Sequence, residues 1–163
     1  MSMTQSLTLK RLTPEAFAPY GEVLEAPAEP GRLYYEKALG NGRPGAWPSL
    51  SLSWRDPLTG PRLRVITMER HAFSSQSFVP LGPARWVVLV APHAAGGGPD
   101  MARAEAFLAG RGQGVTYAAD VWHHPMTVLD APARFAVVMW RDGTAGDEEF
   151  VPVDPFDIDL DLP

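Results

Sequence analysis

The sequence predicts a mainly β protein, an antiparallel β-barrel or jelly roll with one short helix near its N-terminus. Three observations carry this. Seventeen prolines and 15 glycines, about a fifth of the 163 residues, leave little room for long helices. Short apolar segments recur between turn signals at near-regular spacing, the pattern of small all-β domains. Several alternate with period two, as in Ser49-Leu50-Ser51-Leu52-Ser53-Trp54, which suits half-buried strands.

Each element follows in order. Thr13-Pro14-Glu15 reads as a helix start, with Thr13 as cap and Pro14 in the first helical position, and Gly21 ends it. Residues 20–26 read as a strand. Residues 27–48 are rich in proline and glycine and lack periodicity, so they read as a long loop over the barrel mouth. Strands are expected at 49–55, 62–71, 79–81, 85–91, 115–117, 126–129 and 135–140. Residues 101–109 are ambiguous, with helix-favouring composition but a strand-favouring position for 105–108. The acidic segment from about residue 151 reads as an extended tail wrapping the surface. The whole of 1–163 is expected to be a single domain.

Composition removes several function classes. The net charge is −5 with no basic cluster, so nucleic acid and anionic membrane surfaces are not expected partners. There is no cysteine, which excludes disulfides and thiolate metal sites and suits a cytoplasmic protein. No signal peptide is visible at the N-terminus, and the apolar stretch at 86–92 is far too short to span a bilayer.

The chemistry gathers around histidine. Three of the four histidines fall in two patches, Met68-Glu69-Arg70-His71 and Val121-Trp122-His123-His124-Pro125. Imidazole suits both proton transfer near neutral pH and binding of borderline metals. If 62–71 is one regular strand, Val65, Thr67, Glu69 and His71 share one face, with Arg64, Ile66, Met68 and Arg70 on the other. Glu69 and His71 then offer a carboxylate and an imidazole side by side. The plain alternative is an exposed strand end, where such residues are ordinary. His123 and His124 must face opposite sides, so only one can enter an interior site. His93, beside a glycine-rich loop, reads as a surface residue.

Glu69-Arg70-His71, with Gln76-Ser77-Phe78-Val79-Pro80-Leu81, and Gly112-Gln113-Gly114-Val115-Thr116-Tyr117, with Val121-Trp122-His123-His124-Pro125, resemble the ureidoglycolate lyase (ureidoglycolate hydrolase) family. The likeness runs in order from about Leu12 to Gly143. It implies a cupin-like double-stranded β-barrel, generally a homodimer. It also implies a cytoplasmic lyase that cleaves (S)-ureidoglycolate to glyoxylate and urea in purine (allantoin) catabolism. By the same resemblance a divalent metal such as nickel would sit on Glu69, His71, Gln76 and His123. His123, Glu69 and His71 would be catalytic. The small carboxylate substrate needs donors. Arg55 is one, with Tyr117 and His124 as further substrate contacts, and Arg64 and Arg70 are candidates that parity sets opposite Glu69. Two departures stand out: the segment 31–37 lacks the family's Arg-aromatic-His, and Thr116-Tyr117-Ala118-Ala119 lacks its His-Arg. They leave open an enzyme for another small hydroxy acid, or a small-acid-binding cupin without activity.

Overall fold

The computed structural model describes residues 7–160. It contains twelve strands and one short helix: β1 (Leu9–Arg11), α1 (Pro14–Phe17), β2 (Gly21–Leu24), β3 (Trp47–Arg55), β4 (Arg62–His71), β5 (Gln76–Pro80), β6 (Arg85–Ala91), β7 (Glu105–Ala109), β8 (Gly114–Tyr117), β9 (Trp122–His123), β10 (Thr127–Leu129), β11 (Ala133–Arg141) and β12 (Glu148–Asp159). The helix starts as expected, with the Thr13 hydroxyl accepting from the Ala16 amide at 3.2 Å. The ambiguous stretch 101–109 resolves into a 3-10 turn at Met101–Arg103 followed by strand β7.

The strands form two sheets. One has the order β1-β7-β6-β9-β4-β12, with β10 also paired to β6; the other has the order β2-β8-β5-β11-β3. The fold is cupin-like, and the sheets face one another as a sandwich instead of closing into a continuous barrel. Between them lies a core of Phe17, Trp86, Val88, Phe107, Val115, Tyr117 and Phe135. The opposite face of β6 is buried as well. Val87, Leu89 and Ala91 pack against Leu63, Val65, Trp122, Phe156 and Ile158. A strand covered on both faces needs a continuous apolar run, and Trp86-Val87-Val88-Leu89-Val90-Ala91 supplies it.

Strand β4 is where simple alternation fails. Val65 and Met68 are both fully buried in the outer cluster, although an odd spacing should put them on opposite faces. The pairing with β12 is irregular at the same place, where the two steps from Val65 to Thr67 on β4 face four, from Pro152 to Phe156, on β12. Met68 lies with Val65 in the outer cluster, against the expected parity, while Glu69 and His71 turn towards the space between the sheets. The acidic segment near the C-terminus is extended, and it forms strand β12, paired with β4 along most of its length.

No helix among the described residues is long and apolar enough to cross a membrane.

Candidate active site

The histidine patches meet where the two sheets converge. Glu69 on β4 pairs in register with His123 on β9. Gln76, at the start of β5, lies opposite Tyr117 on β8 and Met139 on β11. His71 ends β4, and the turn 72–75 leads to Gln76, so β4 and β5 deliver three polar side chains to one place. Strand β9 spans only two residues, but it is held on both edges, by β4 and by β6. Of the adjacent histidines, His123 faces this interior and is 2 % exposed.

The hydrogen bonds around His123 define the chemistry. Its Nδ1 lies 2.9 Å from the Val121 carbonyl. That oxygen can only accept, so Nδ1 carries a proton and Nε2 points the other way. Nε2 lies 3.1 Å from Gln76 Oε1 and 3.3 Å from Glu69 Oε1. Three lone-pair atoms thus converge, and either a proton on Nε2 or a cation among them satisfies the arrangement. One potential ligand atom from each of Glu69, His71 and His123 lies within 4.8 Å of the others, and two imidazoles with one carboxylate make a fitting N/O donor set for a divalent metal.

Burial raises the Glu69 carboxyl, but the hydrogen bond to His123 and the charges of His123 and His71 outweigh it and hold the group below the usual carboxylate range. Burial, with the neighbouring His123, pushes His71 down, so its ring stays neutral near pH 7. Both ring nitrogens of His71 lack a hydrogen-bond partner. Asp147 Oδ2 lies 3.3 Å from His71 Nδ1, close enough for charge interaction but not aligned for a hydrogen bond.

A cavity of about 450 Å³ opens beside this cluster, lined by Arg43, His71, Gln76, Trp140, Asp147 and Glu148 among others, within the range of roughly 300–1,000 Å³ usual for small-molecule sites. His71 and Gln76 belong both to the cluster and to the cavity wall. Glu69 and His123 lie behind them.

The other expected site residues fall elsewhere. Tyr117 is 2 % exposed and lies flat against His123, so it supports the ring from behind and does not line the cavity. His124 is half-buried and its amide bonds to Leu89 O at 2.9 Å; burial lowers its ring pKa. Arg55 is exposed and pairs with Ala133, whereas the cavity residue Arg141 pairs with Trp47 at the other end of the same ladder. Eight residues of strand, about 26 Å, separate the two ends, so Arg55 is not part of this site. Arg64 pairs with Asp157 at 3.2 Å. Arg70 bonds Asp120 and Glu149, each at 2.6 Å, over the Trp122 ring.

Two residues of the cavity wall, Arg43 and Asp147, were not singled out by sequence reasoning. Arg43 comes from the end of the long loop. The Gly42 amide donates to Phe73 O and the Ser75 amide to Gly40 O, at 2.8 and 2.9 Å, which ties the loop to the turn after His71. Asp147 precedes β12, and its Oδ1 accepts from the amides of Phe73 and Ser74 at 2.6 and 3.1 Å. Neither residue stands in a motif, and both reach the site through turn-to-turn contacts. Ala118, one of the two departures at 118–119, lines a different cavity with Gly21 and Glu22.

The family profile for ureidoglycolate lyase matches residues 41–159. The chain belongs to the ureidoglycolate lyase family. Among proteins of that family, a putative ureidoglycolate lyase of Agrobacterium fabrum is 34% identical over 96% of both chains. A ureidoglycolate lyase of Brucella melitensis is 37% identical over 82% of each chain. One from Burkholderia cepacia is 39% identical over 85% of this chain and 81% of its own. A solved dTDP sugar isomerase of Desulfovibrio desulfuricans is similar in fold alone, with TM-score 0.50 and 21% identity, covering 82% of this chain and 83% of that one. The family motifs quoted from the sequence are the segments that carry Glu69, His71, Gln76 and His123 into contact.

Proposed function

We propose that this protein is a ureidoglycolate lyase, releasing urea from (S)-ureidoglycolate and leaving glyoxylate in purine (allantoin) catabolism. The observation that carries this reading is the convergence of Glu69 Oε1, Gln76 Oε1 and His123 Nε2 beside an open cavity, in a chain of this family.

The substrate carbon bears a hydroxyl, a carboxylate and the ureido nitrogen. Cleavage removes the hydroxyl proton, forms the carbonyl, breaks the C–N bond with its electron pair going to nitrogen, and protonates that nitrogen. Hydroxyl and nitrogen share one carbon, so a single acid–base pair can serve both. The Glu69–His123 pair takes the hydroxyl proton and returns it to the departing urea. Val121 O fixes the His123 tautomer for this. His71, neutral and on the cavity wall, presents a ring nitrogen to the substrate. Glu69, His71, Gln76 and His123 are also the residues that would hold a divalent metal such as nickel, which when bound supplies Lewis acidity for the substrate hydroxyl.

Glyoxylate release from racemic ureidoglycolate, corrected for spontaneous breakdown, tests the reading, with metal-stripped and metal-supplied protein compared. Consumption of one enantiomer is expected. Release no faster than background would refute the assignment.

The same reading includes a homodimer. On β3, an edge strand, Leu50, Leu52 and Trp54 are 70, 73 and 52 % exposed, an apolar edge that calls for cover. Sedimentation should give twice the chain mass, and Leu52→Lys should reduce it to one; a wild-type monomer would exclude the assembly.

A further inference from the structure

One wall of the cavity holds a guanidinium and a carboxylate side by side, each with buried polar atoms that lack a hydrogen-bond partner. Asp147 is 7 % exposed in its side chain. Its Oδ1 is occupied by two backbone amides, whereas its Oδ2 has no hydrogen-bond partner. The Arg43 side chain is 13 % exposed, and its Nη2 approaches that oxygen to 3.7 Å. Nη2 donates to Trp140 O at 3.1 Å, Nη1 meets only the Asp142 carboxylate, at 3.0 Å, and Nε has no hydrogen-bond partner. Unsatisfied buried polar atoms are rare in folded proteins, and several on one wall point to a ligand that completes them.

The charges decide which part of a ligand belongs there. Asp142 Oδ2 lies 3.0 Å from Arg43 Nη1, and Asp147 lies beyond Nη2. Glu148 lines the same cavity. Arg43 is therefore already matched by two carboxylates, and a third, from substrate, would meet net repulsion. A neutral group with an N–H beside a carbonyl fits instead. Its N–H donates to Asp147 Oδ2 and its carbonyl accepts from the guanidinium.

We infer that Arg43 and Asp147 form the subsite that recognises the ureido group. This rests on the reading of the protein as a ureidoglycolate lyase. It makes Arg43 and Asp147 residues that set specificity for ureido over simple acyl substituents. The position of Asp147, with one oxygen locked by the turn after His71, gives the acceptor a fixed direction. A pre-set acceptor discriminates against a ligand lacking the N–H, because the carboxylate oxygen is then buried without a partner.

A matched pair of inert ligands tests this by calorimetry on the full-length protein. N-carbamoylglycine carries the ureido group but no hydroxyl to lose. N-acetylglycine replaces its terminal NH2 with a methyl group. The wild-type protein should bind the first at least tenfold more tightly. Asp147→Asn keeps the acceptor for the Phe73 and Ser74 amides but turns the second oxygen into a donor. It should abolish that preference and leave glycolate binding within about twofold. If circular dichroism shows that Asp147→Asn does not fold, Arg43→Met carries the test and should weaken N-carbamoylglycine at least tenfold with glycolate unchanged. An unchanged preference in the folded variant overturns the subsite. So does equal binding of both ligands by the wild-type protein, while the lyase reading stands on glyoxylate release. Failure of the wild-type protein both to bind N-carbamoylglycine and to release glyoxylate removes the subsite and the lyase reading together.

Discussion

The Tyr117 and His123 rings stack, with centroids 4.1 Å apart and planes 11° from parallel. The phenol belongs to one sheet and the imidazole to the other, so their contact joins the two sheets at the proposed catalytic residue. Such a stack contributes about 0.5–1.5 kcal/mol beyond burial. Tyr117→Phe should keep turnover within about threefold, because the stack remains. Tyr117→Ala should lower stability by about 3–5 kcal/mol and turnover with it. Denaturant melts and glyoxylate assays on both variants decide; a Tyr117→Ala enzyme of normal rate would show that the stack does not place His123.

Removing the imidazole itself should be far costlier to the rate than to the fold. His123→Ala is expected to cut turnover by about 10²–10⁴, the usual worth of acid–base catalysis, with its circular dichroism unchanged. Near-normal turnover would take His123 out of the mechanism.

Acid should destabilise the protein through its buried histidines. Burial lowers both His71 and His124, so the unfolded chain, with histidines near about 6.5, takes up protons first as pH falls. The stability these residues contribute is complete above that value and is lost as pH falls through their folded-state pKa values. Chemical denaturation at pH 7.5 and 5.5 should show the drop, and the double variant His71→Gln/His124→Gln should show less of it. A wild-type profile flat across this range would contradict the depressed values.

Ligation by the cluster should appear in thermal stability without any substrate. A divalent metal at a hundredfold its dissociation constant stabilises a native state by about 2.7 kcal/mol. Nickel should therefore raise the melting temperature of the wild-type protein and not that of His71→Ala. Equal shifts in both would place the metal elsewhere.

Gly114 tests the packing that brings β5 and β8 together. A Cβ there would run into the Phe78 carbonyl, a backbone atom that cannot swing aside. Gly114→Ala should cost about 1–3 kcal/mol as strand separation or strain. Wild-type stability in that variant would mean the strands shift freely.

Much of the protein was legible in the chain because strands and turns are local. β6 and β4 coincide with their expected bounds, since an apolar run bounded by Gly82-Pro83 and Pro92, and a long segment closed by Pro61, are written in neighbouring residues. The Glu69, His71, Gln76 and His123 set was legible through motif resemblance. Strand β9 was not, because two residues carry no period. The face reversal in β4 was hidden too: it coincides with an irregular pairing to β12, some eighty residues away, which no neighbouring residue announces.

By itself, then, the sequence determined a β-rich cupin-like chain with a cluster of histidine and carboxylate side chains, for alternation, turn residues and motifs are properties of adjacent positions. Tertiary structure alone decided that His123 and not His124 faces the interior between the sheets, that Tyr117 backs the ring, that Arg55 lies at the far end of its ladder, and that Arg43 and Asp147 complete the cavity wall. Those outcomes depend on strand register and on contacts between turns, and a strand that slips by one residue turns every one of its side chains to the other face.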